Sequence, residues 1–379
     1  MPRSSSIVSA DGLTQGPTRR PFARPGAAAA IRVMIVDDSL TVRTIFKRMV
    51  ESDPAMVIAG TASSAEGAIA QLQAEPADVV LLDLEMPGIG GLDALPTILA
   101  TPAAPQVLVV SSLTTDGAEH TLAALEMGAA DTLLKPRPGG FTEDYRNQLL
   151  GKIKALGSRL SEPATETGQL IAPTFARPGI ARRSLRPEVI GIGASTGGIH
   201  ALSLLLRRLT PEFDVPLLIT QHLPASFIPV FARQVEAACK RPADIAADGT
   251  AISPGRILIA PGHGHIVVQR RGERLSCRIS SEPAPSGCVP SVDPMFASMS
   301  DACDGRALGI VLSGMGRDGV IGAKQLVDAG GAIWAQDADT CAVWGMPGAV
   351  ARAGLASMIA PPDRLGEAVL AQARTMARR

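Results

Sequence analysis

Residues 189–209 read VIGIGASTGGIHALSLLLRRL: an apolar run, a turn of small residues, and an apolar stretch of helical period. The run Val189–Ile192 has the length and β-branched content of a buried strand, and Ile199–Leu209 has the apolar periodicity of a helix. Further short apolar runs follow at residues 217–220, 257–260, 308–312 and 332–334. Strands that alternate with helices form a parallel sheet with helices on both faces. We therefore predict a doubly wound α/β domain over residues 188–375.

The same alternation is present in the N-terminal half of the chain. Short apolar runs at residues 33–36, 79–82, 107–110 and 132–134 are separated by stretches of helical period such as 40–50 and 121–127. This pattern predicts another doubly wound parallel sheet over residues 31–157. The Pro- and Arg-rich segment 158–187 has the composition of a linker. Residues 1–30 are rich in Ser, Pro and Arg without periodicity, which predicts a disordered tail.

The composition excludes several classes of protein. The 379 residues are 46% hydrophobic and 19% charged, as in globular chains. Lys+Arg and Asp+Glu are 36 each, which argues against a nucleic-acid partner because phosphate binding requires surplus positive charge. We predict no signal peptide and no membrane insertion, since no apolar stretch approaches the roughly 18–20 residues that a membrane helix needs. Five cysteines without a CxxC pair predict reduced thiols in a cytoplasmic protein.

Polar side chains follow four of the predicted strands in the N-terminal domain. Asp37 and Asp38 follow the first, Asp83 the second, Ser111 the third and Lys135 the fourth. The carboxyl ends of parallel strands meet at one edge of the sheet, where ligands bind. Three neighbouring carboxylates repel one another unless a cation joins them, and oxygen ligands favour Mg²⁺. Lys135 adds a compact positive charge that can pair with a phosphoryl group.

The segment Asp83-Leu84-Glu85-Met86-Pro87, with Gly91 after it, resembles the phospho-acceptor loop of bacterial response-regulator receiver domains. The resemblance covers residues 31–155 and implies a flavodoxin-like fold in which Asp83 is phosphorylated. It implies that Mg²⁺ is held by Asp37, Asp38, Asp83 and the backbone carbonyl of Glu85, and that Ser111 and Lys135 sense the phosphoryl group. Thr132 departs from the family pattern, because receivers usually carry an aromatic residue three positions before the lysine.

Three kinds of site can be considered for the glycine-rich turn after Ile192. A dinucleotide loop starting at Gly191 fails because its third glycine would fall at Thr196, and a phosphate-binding Walker loop lacks its lysine. The G-x-S-x-G pattern centred on Ser195 fits a strand-to-helix turn that exposes a nucleophilic hydroxyl. A turn selected only for tight strand-to-helix packing is the structural alternative.

A serine nucleophile requires a base and an acid that orients it. Of the five histidines, only His222 directly follows an apolar strand, whereas His120, His200, His263 and His265 do not. A histidine that merely occupies a turn is the alternative. Asp318 follows the strand at 308–312, but Asp293 and Asp337 are rivals for the acid, and spacing alone leaves this choice open.

Five segments together resemble the chemotaxis protein-glutamate methylesterases of the CheB family. They are 193–198 (GASTGG), 221–224 (QHLP), 290–293 (PSVD), 314–319 (GMGRDG) and 345–347 (GMP), in the family's order. With the receiver, the resemblance extends from about residue 31 to residue 370. It implies a Rossmann-like serine hydrolase with Ser195 as nucleophile, His222 as general base and Asp318 as orienting acid, and with the backbone N–H groups of Thr196 and Met315 as the oxyanion hole.

The resemblance also implies substrates and partners. The enzyme would hydrolyse γ-glutamyl methyl esters on methyl-accepting chemotaxis receptors and deamidate receptor glutamines. A chemotaxis sensor histidine kinase would supply the phosphoryl group, and the unphosphorylated receiver would cover the active-site edge. Cys288 and Val289 stand where the family often has a His-Arg pair, and His200 stands where an acidic or neutral residue is common. We expect none of these three to touch the catalytic residues, and all to affect substrate fit or domain contact.

Other functions compete with this interpretation. The second domain could be a binding module without chemistry, or a hydrolase of small esters or peptides that only the family match excludes. A DNA-binding output domain is disfavoured, because the chain is neutral and its second half has no basic helix–turn–helix pattern.

Overall fold

The computed structural model describes residues 30–112, 115–136, 140–158, 186–210 and 213–376. Within these ranges the chain folds into two α/β domains, as predicted, with one five-stranded sheet, one seven-stranded sheet and a two-stranded hairpin. The predicted N-terminal tail up to residue 29 and the predicted linker from residue 159 to residue 185 lie outside the described residues.

The N-terminal domain is a five-stranded sheet with five helices. Its strands are β1 (Ile31–Val36), β2 (Met56–Ala62), β3 (Val79–Asp83), β4 (Gln106–Ser111) and β5 (Asp131–Leu134). Its helices are α1 (Leu40–Glu51), α2 (Ala65–Ala74), α3 (Gly90–Leu99), α4 (Thr115–Met127) and α5 (Glu143–Gly157). The strand order β2-β1-β3-β4-β5, with every pair parallel, is the flavodoxin-like order that the sequence predicted. Only β2, an edge strand buried at its two ends, was not predicted.

The C-terminal domain is built on the seven-stranded sheet. Its strands are β6 (Val189–Ala194), β7 (Leu217–Gln221), β8 (Ala243–Ile245), β9 (Ile257–Ile259), β12 (Ala307–Val311), β13 (Ala332–Gln336) and β14 (Ala356–Ala360). Strands β10 (His265–Arg271) and β11 (Arg274–Ser280) form the antiparallel hairpin. The helices are α6 (Gly198–Leu206), α7 (Ile228–Cys239), α8 (Val292–Cys303), α9 (Val320–Asp328), α10 (Met346–Arg352) and α11 (Pro362–Met376).

The central strands of both sheets are buried over their whole length, because helices cover both faces. Strand β3 and strand β6 have no exposed residue, which explains their continuous apolar runs. Helix α1 begins after Ser39, whose hydroxyl accepts a hydrogen bond from the Val42 N–H. These rigid strands hold the polar residues that follow them at fixed positions.

The strand order of the large sheet is β14-β13-β12-β6-β7-β9-β8, and the side on which the chain adds strands changes at β6. The chain adds β7 on one side of β6 and β12 on the other, so a crevice forms where the carboxyl ends of these three strands meet. Segments 193–198, 221–224 and 313–319 all lie at this edge.

The two domains pack against each other through α4, which contacts α6 and α7. Leu125 on α4 and Ile199 on α6 are both buried in an apolar cluster that includes residues of both domains. This contact brings the carboxyl edge of the large sheet next to β5. Among the described residues, no helix combines the length and the apolar character that crossing a membrane would require.

Candidate functional site

Ser195 lies in the tight turn between β6 and α6. The turn needs glycine at position 197, where φ is +74° and a Cβ would lie 2.5 Å from the Ala342 Cβ. The Ser195 N–H donates to the Ser313 carbonyl at 3.0 Å, and the Gln221 side-chain amide donates to the Ser195 carbonyl at 3.0 Å. These bonds fix the backbone of a partly exposed serine at the end of a buried strand.

His222 lies beside Ser195 because of the register between their strands. Ala194 pairs with Gln221 in the parallel ladder between β6 and β7. Adjacent strands lie about 4.8 Å apart, so Ser195 and His222, which follow these two residues, are neighbours. The His222 N–H also donates to the Ala194 carbonyl at 3.1 Å. Both residues line one cavity of about 430 Å³ between the domains.

Asp318 faces the imidazole of His222. His222 Nε2 lies 2.8 Å from Asp318 Oδ2, which also accepts a hydrogen bond from the Val292 N–H at 2.7 Å, and Ser291 Oγ donates to Asp318 Oδ1 at 2.6 Å. Burial would raise the pKa of Asp318, but the hydrogen bonds from His222, Ser291 and Val292 outweigh it and hold the pKa well below its usual range. The ionised carboxylate therefore orients His222 through Nε2, so Nδ1 is the ring nitrogen that is not bonded to Asp318.

The two rival carboxylates have other contacts. Asp293 accepts a hydrogen bond from the Gly322 N–H at 2.8 Å, and burial together with the nearby Asp318 charge raises its pKa to about 6. Asp337 accepts hydrogen bonds from Thr340 at the end of β13. Of these three acids, Asp318 is therefore the one hydrogen-bonded to His222.

Sequence reasoning missed the groups that hold Asp318 in place. Ser291 donates to Asp318, and the Ser291 N–H donates to His265 Nδ1 at 2.8 Å. The signal in the sequence that could have indicated Ser291 is the PSVD segment, which resembles a family motif but to whose serine no role was assigned. His265, at the start of β10, gave no signal because the hairpin of β10 and β11 was not predicted.

The expectation that Cys288 does not touch the catalytic residues is wrong. Its Sγ, a ring nitrogen of His222 and a carboxylate oxygen of Asp318 all lie within 4.8 Å of one another. The cause is the anchoring of Ser291 to Asp318, which brings the preceding loop over the pair. Burial would lower the pKa of His222, but hydrogen bonding to Asp318 and to Cys288 outweighs it and raises the pKa to about 9.

Thr196 directly follows Ser195, and Met315 follows Gly314, which lies close to Ser195. Within the described residues, neither backbone N–H donates a hydrogen bond, so both remain available to an anion. Gly314 allows the Met315 segment to approach, because a Cβ at Gly314 would lie 2.9 Å from the Ser195 Cβ and 2.4 Å from the Met346 sulfur.

The start of β5 in the N-terminal domain contacts the Ser195 turn directly. Asp131 Oδ2 accepts a hydrogen bond from Thr196 Oγ1 at 2.6 Å and pairs with Lys152 Nζ at 2.5 Å. The Gly197 N–H donates to the Ala130 carbonyl at 2.5 Å. One wall of the cavity above Ser195 is consequently formed by the N-terminal domain.

Glu126 at the end of α4 forms a further interdomain contact. Its backbone carbonyl contacts His200 Nδ1 at 2.7 Å, and its carboxylate accepts from Ser203 Oγ at 3.1 Å and from Arg207 at 2.7 Å. The expected role of His200 in domain contact is therefore confirmed.

The acidic residues of the N-terminal domain also meet, at the carboxyl edge of the small sheet. Oxygen atoms of Asp37, Asp38 and Asp83 lie within 4.8 Å of one another, and Lys135 Nζ lies 2.8 Å from Asp37 and 2.6 Å from Asp83. Burial raises the pKa of Asp83, against the lowering effect of Lys135. Burial also opposes the charge of Lys135, but its bonds to Asp37 and Asp83 raise its pKa.

The remaining predicted residues border this acidic cluster. Ser111 Oγ is buried and has no hydrogen-bond partner among the described residues, and the Thr132 hydroxyl shares both properties. The Glu85 N–H donates to Asp83 Oδ1 at 3.1 Å, and its carboxylate accepts from Ser112 Oγ at 2.6 Å. Clustered carboxylate oxygens are the donor set of a hard divalent cation, so these residues fit Mg²⁺.

Comparison with known proteins assigns both halves of the chain. The family model for CheB methylesterase matches residues 190–369, and that for the response regulator receiver domain matches residues 33–141. A protein of Rhodopseudomonas palustris (strain HaA2) named protein-glutamate methylesterase/protein-glutamine glutaminase is 38% identical over 358 residues, which cover 89% of this chain and 92% of that protein.

The chain is also similar to a second curated relative and to one solved structure. Protein-glutamate methylesterase/protein-glutamine glutaminase 2 of Caulobacter vibrioides is 41% identical over 354 residues, covering 92% of this chain and all of that protein. The solved catalytic domain of Thermotoga maritima CheB methylesterase is 27% identical, with a TM-score of 0.48, and the match covers 49% of this chain and 99% of that chain. On the extent of the matches to the curated relatives and to the two family models, the chain belongs to the CheB methylesterase family and carries a response regulator receiver domain ahead of its catalytic domain.

Proposed function

We propose that this chain is a phosphorylation-activated esterase that hydrolyses γ-glutamyl methyl esters on methyl-accepting chemotaxis receptors and deamidates receptor glutamines. Residues 188–375 would form the catalytic domain and residues 31–157 the regulatory receiver, in the cytoplasm as the cysteine pattern predicts. The observation that carries the proposal is the buried Asp318 carboxylate bonded to His222, next to Ser195 in a cavity between the domains.

In the first half of the reaction, Ser195 Oγ attacks the ester carbonyl while His222 removes its proton. Asp318 keeps the imidazole oriented and stabilises the imidazolium that forms. The oxyanion of the tetrahedral intermediate accepts hydrogen bonds from the N–H groups of Thr196 and Met315. Collapse of the intermediate breaks the carbon–oxygen bond, and His222 protonates the departing methanol, leaving a glutamyl ester on Ser195.

In the second half, water attacks this ester with His222 again as base. The receptor glutamate leaves as a carboxylic acid and Ser195 regains its proton. A glutamine side chain would follow the same route with ammonia as the leaving group, because the nucleophile and the oxyanion site act on the carbonyl and His222 can protonate the departing nitrogen as it protonates methanol. Deamidation is therefore expected from the same three side chains.

The receiver would regulate access to Ser195. A chemotaxis sensor histidine kinase would transfer a phosphoryl group to Asp83, with Ser111 and Lys135 contacting it. When bound, Mg²⁺ would be held by Asp37, Asp38, Asp83 and the Glu85 carbonyl, and would offset the negative charge of the incoming phosphoryl group. The contacts of Ala130 and Asp131 with the Ser195 turn support a closed, less active arrangement in the unphosphorylated protein. A shift of a few kcal/mol between the two arrangements would suffice for regulation.

The experiment is methanol release from membranes that contain methylated chemoreceptors. Wild-type protein is expected to release methanol, whereas Ser195→Ala loses the release and Asp318→Asn retains only a small fraction. A small activated ester, assayed in parallel, reports whether the serine is reactive without the receptor. Methanol release that survives in Ser195→Ala would move the nucleophile elsewhere, and hydrolysis of the small ester without any methanol release would reject receptor esters as the substrate.

A further inference from the structure

Cys288 turns the His222–Asp318 pair into a cluster with three kinds of metal-binding atom. A thiol, an imidazole and a carboxylate present donor atoms that all lie within 4.8 Å of one another. Neither the catalytic mechanism nor the packing of the core requires a thiol at this position. Cys288 is half-buried at the surface end of the loop, whereas Cys239, Cys277, Cys303 and Cys341 are buried.

We propose that Cys288, His222 and Asp318 form a binding site for Zn²⁺ whose occupation shuts off the esterase. Binding the metal would not require the enzyme to be an esterase, whereas the inhibitory effect rests on the proposed function. Nitrogen, sulfur and oxygen donors of this kind are those that Zn²⁺ uses, and three protein ligands with a fourth position for water complete its tetrahedral shell.

The donor set selects Zn²⁺ over the hard cations. A thiolate and an imidazole bind Zn²⁺ strongly and bind Mg²⁺ and Ca²⁺ poorly. Binding releases two protons to solvent, one from the Cys288 thiol and one from the His222 imidazolium; one thiolate and one carboxylate then carry two negative charges, which balance the charge of the ion beside a neutral imidazole. By contrast, the Asp37, Asp38 and Asp83 cluster offers oxygen atoms only, so the two clusters of this chain favour different metals.

The surroundings of the cluster already hold one ligand in place. Asp318 is fixed by Ser291 Oγ at 2.6 Å and by the Val292 N–H at 2.7 Å, bonds that can persist when the carboxylate binds a metal. Metal–ligand bonds of about 2.0–2.3 Å place tetrahedral donors roughly 3.3–3.8 Å apart. The Cys288 thiol, on a loop outside any helix or strand, therefore needs to move by no more than about 1–1.5 Å. If Nε2 is the ring nitrogen that binds, His222 Nε2 and Asp318 Oδ2, which are 2.8 Å apart, would separate by at least about 0.5 Å to admit the ion. The adjacent Val289 side chain is 54% exposed, so the ion can arrive from solvent.

Occupation of this site would remove the base from the reaction. When a ring nitrogen of His222 binds Zn²⁺, a metal–nitrogen bond takes the place of the hydrogen bond to Asp318. The imidazole is then held by the metal and cannot take and return the Ser195 proton. Inhibition should be reversed by a chelator, because only metal–ligand bonds form and the protons released on binding can return from solvent.

The test uses Co²⁺ as a spectroscopic probe for Zn²⁺ on the full chain. Wild-type protein titrated with Co²⁺ alone is expected to develop a thiolate-to-Co²⁺ charge-transfer band with a stoichiometry of one ion, which Zn²⁺ then displaces. The band should be absent in Cys288→Ser and unchanged in Asp37→Asn, the matched control for the oxygen-only cluster. Absence of the band in wild-type protein, or an equal band in Cys288→Ser, would refute the site.

Esterase assays then test the inhibitory part. Zn²⁺ should inhibit methanol release by wild-type protein, and Cys288→Ala should need at least about tenfold more Zn²⁺ for the same inhibition, as expected when a metal site loses a ligand. Equal inhibition of both proteins would refute the inhibitory role. Wild-type protein that develops the Co²⁺ band but releases no methanol when assayed free of Zn²⁺ and Co²⁺ would reject the proposed function and leave the metal site standing, so the two failures are distinguishable.

Discussion

Asp131 is the receiver residue whose replacement should most directly release the esterase. Its carboxylate accepts the Thr196 hydroxyl at 2.6 Å, next to the nucleophile, and Lys152 shares the same oxygen. A hydrogen bond to a charged group contributes about 1.5–3 kcal/mol. Because about 1.4 kcal/mol changes an equilibrium tenfold, Asp131→Ala should raise the ratio of open to closed protein by roughly 10- to 150-fold.

The assay is the initial rate of methanol release by unphosphorylated protein. Asp131→Ala is expected to increase this rate toward that of the phosphorylated wild type, with little further increase on adding acetyl phosphate. Asp131→Asn retains an acceptor for Thr196 but not the charge, so its increase should be smaller. Asp144→Ala is the matched control, since it removes an exposed carboxylate of the same domain that makes no contact with the Ser195 turn. An unphosphorylated rate for Asp131→Ala equal to that of Asp144→Ala would show that the Asp131–Thr196 bond does not hold the esterase in its closed arrangement.

Four further outcomes follow from the same geometry. His222 is charged below its pKa of about 9 and must be neutral to act as base, so kcat/KM of the unphosphorylated protein should rise with pH up to about 9. Cys288→Ala should move this rise to lower pH, because a group that favours the charged imidazole is removed; an unmoved profile would contradict the contact. Asp318→Asn should lower kcat by about 10³–10⁴-fold, since the imidazole loses its orienting charge, and a fall of less than tenfold would contradict its role. Gly197→Ala should lower the free energy of unfolding in urea by about 2 kcal/mol or more, because the residue has a positive φ and its Cβ would clash with Ala342; unchanged stability would contradict the packing.

Much of the fold was predictable because strands buried on both faces are continuous apolar runs. Strands β1, β3, β6 and β7 were located this way, and the polar residue at the end of β3 or directly after each of the other three was recognised as part of a site. The edge strands β2, β8 and β14 and the hairpin of β10 and β11 were missed. The three edge strands are largely part-buried or exposed, so they form no continuous buried run, and β10 and β11 carry several charged residues.

The acid could not be chosen from spacing, and the reason is structural. Asp293, Asp318 and Asp337 all lie near the ends of strands or at a helix start, so the sequence offers three candidates of similar position. Only the packing of the segment after β12 against Ser291 and Val292 directs Asp318 to His222. The contact of Cys288 with this pair arises from the same packing, and local sequence carries no signal for either.

The contact between Asp131 and Thr196 is likewise a property of the assembled domains. The two residues are 65 positions apart and lie in different domains, so no periodicity or motif links them. The sequence could indicate that a receiver precedes a hydrolase, but the residues through which one acts on the other required the three-dimensional arrangement.

Phosphorylation of Asp83 is expected to control the chemistry at Ser195. The most direct test is methanol release from methylated chemoreceptor membranes in the presence of Mg²⁺, measured with and without acetyl phosphate for wild-type, Asp83→Ala and Ser195→Ala proteins. If Asp83 controls the esterase, acetyl phosphate raises the wild-type rate, leaves Asp83→Ala at its basal rate, and produces no release in Ser195→Ala. An equal increase in wild-type and Asp83→Ala proteins, or a wild-type rate that does not respond, would contradict it.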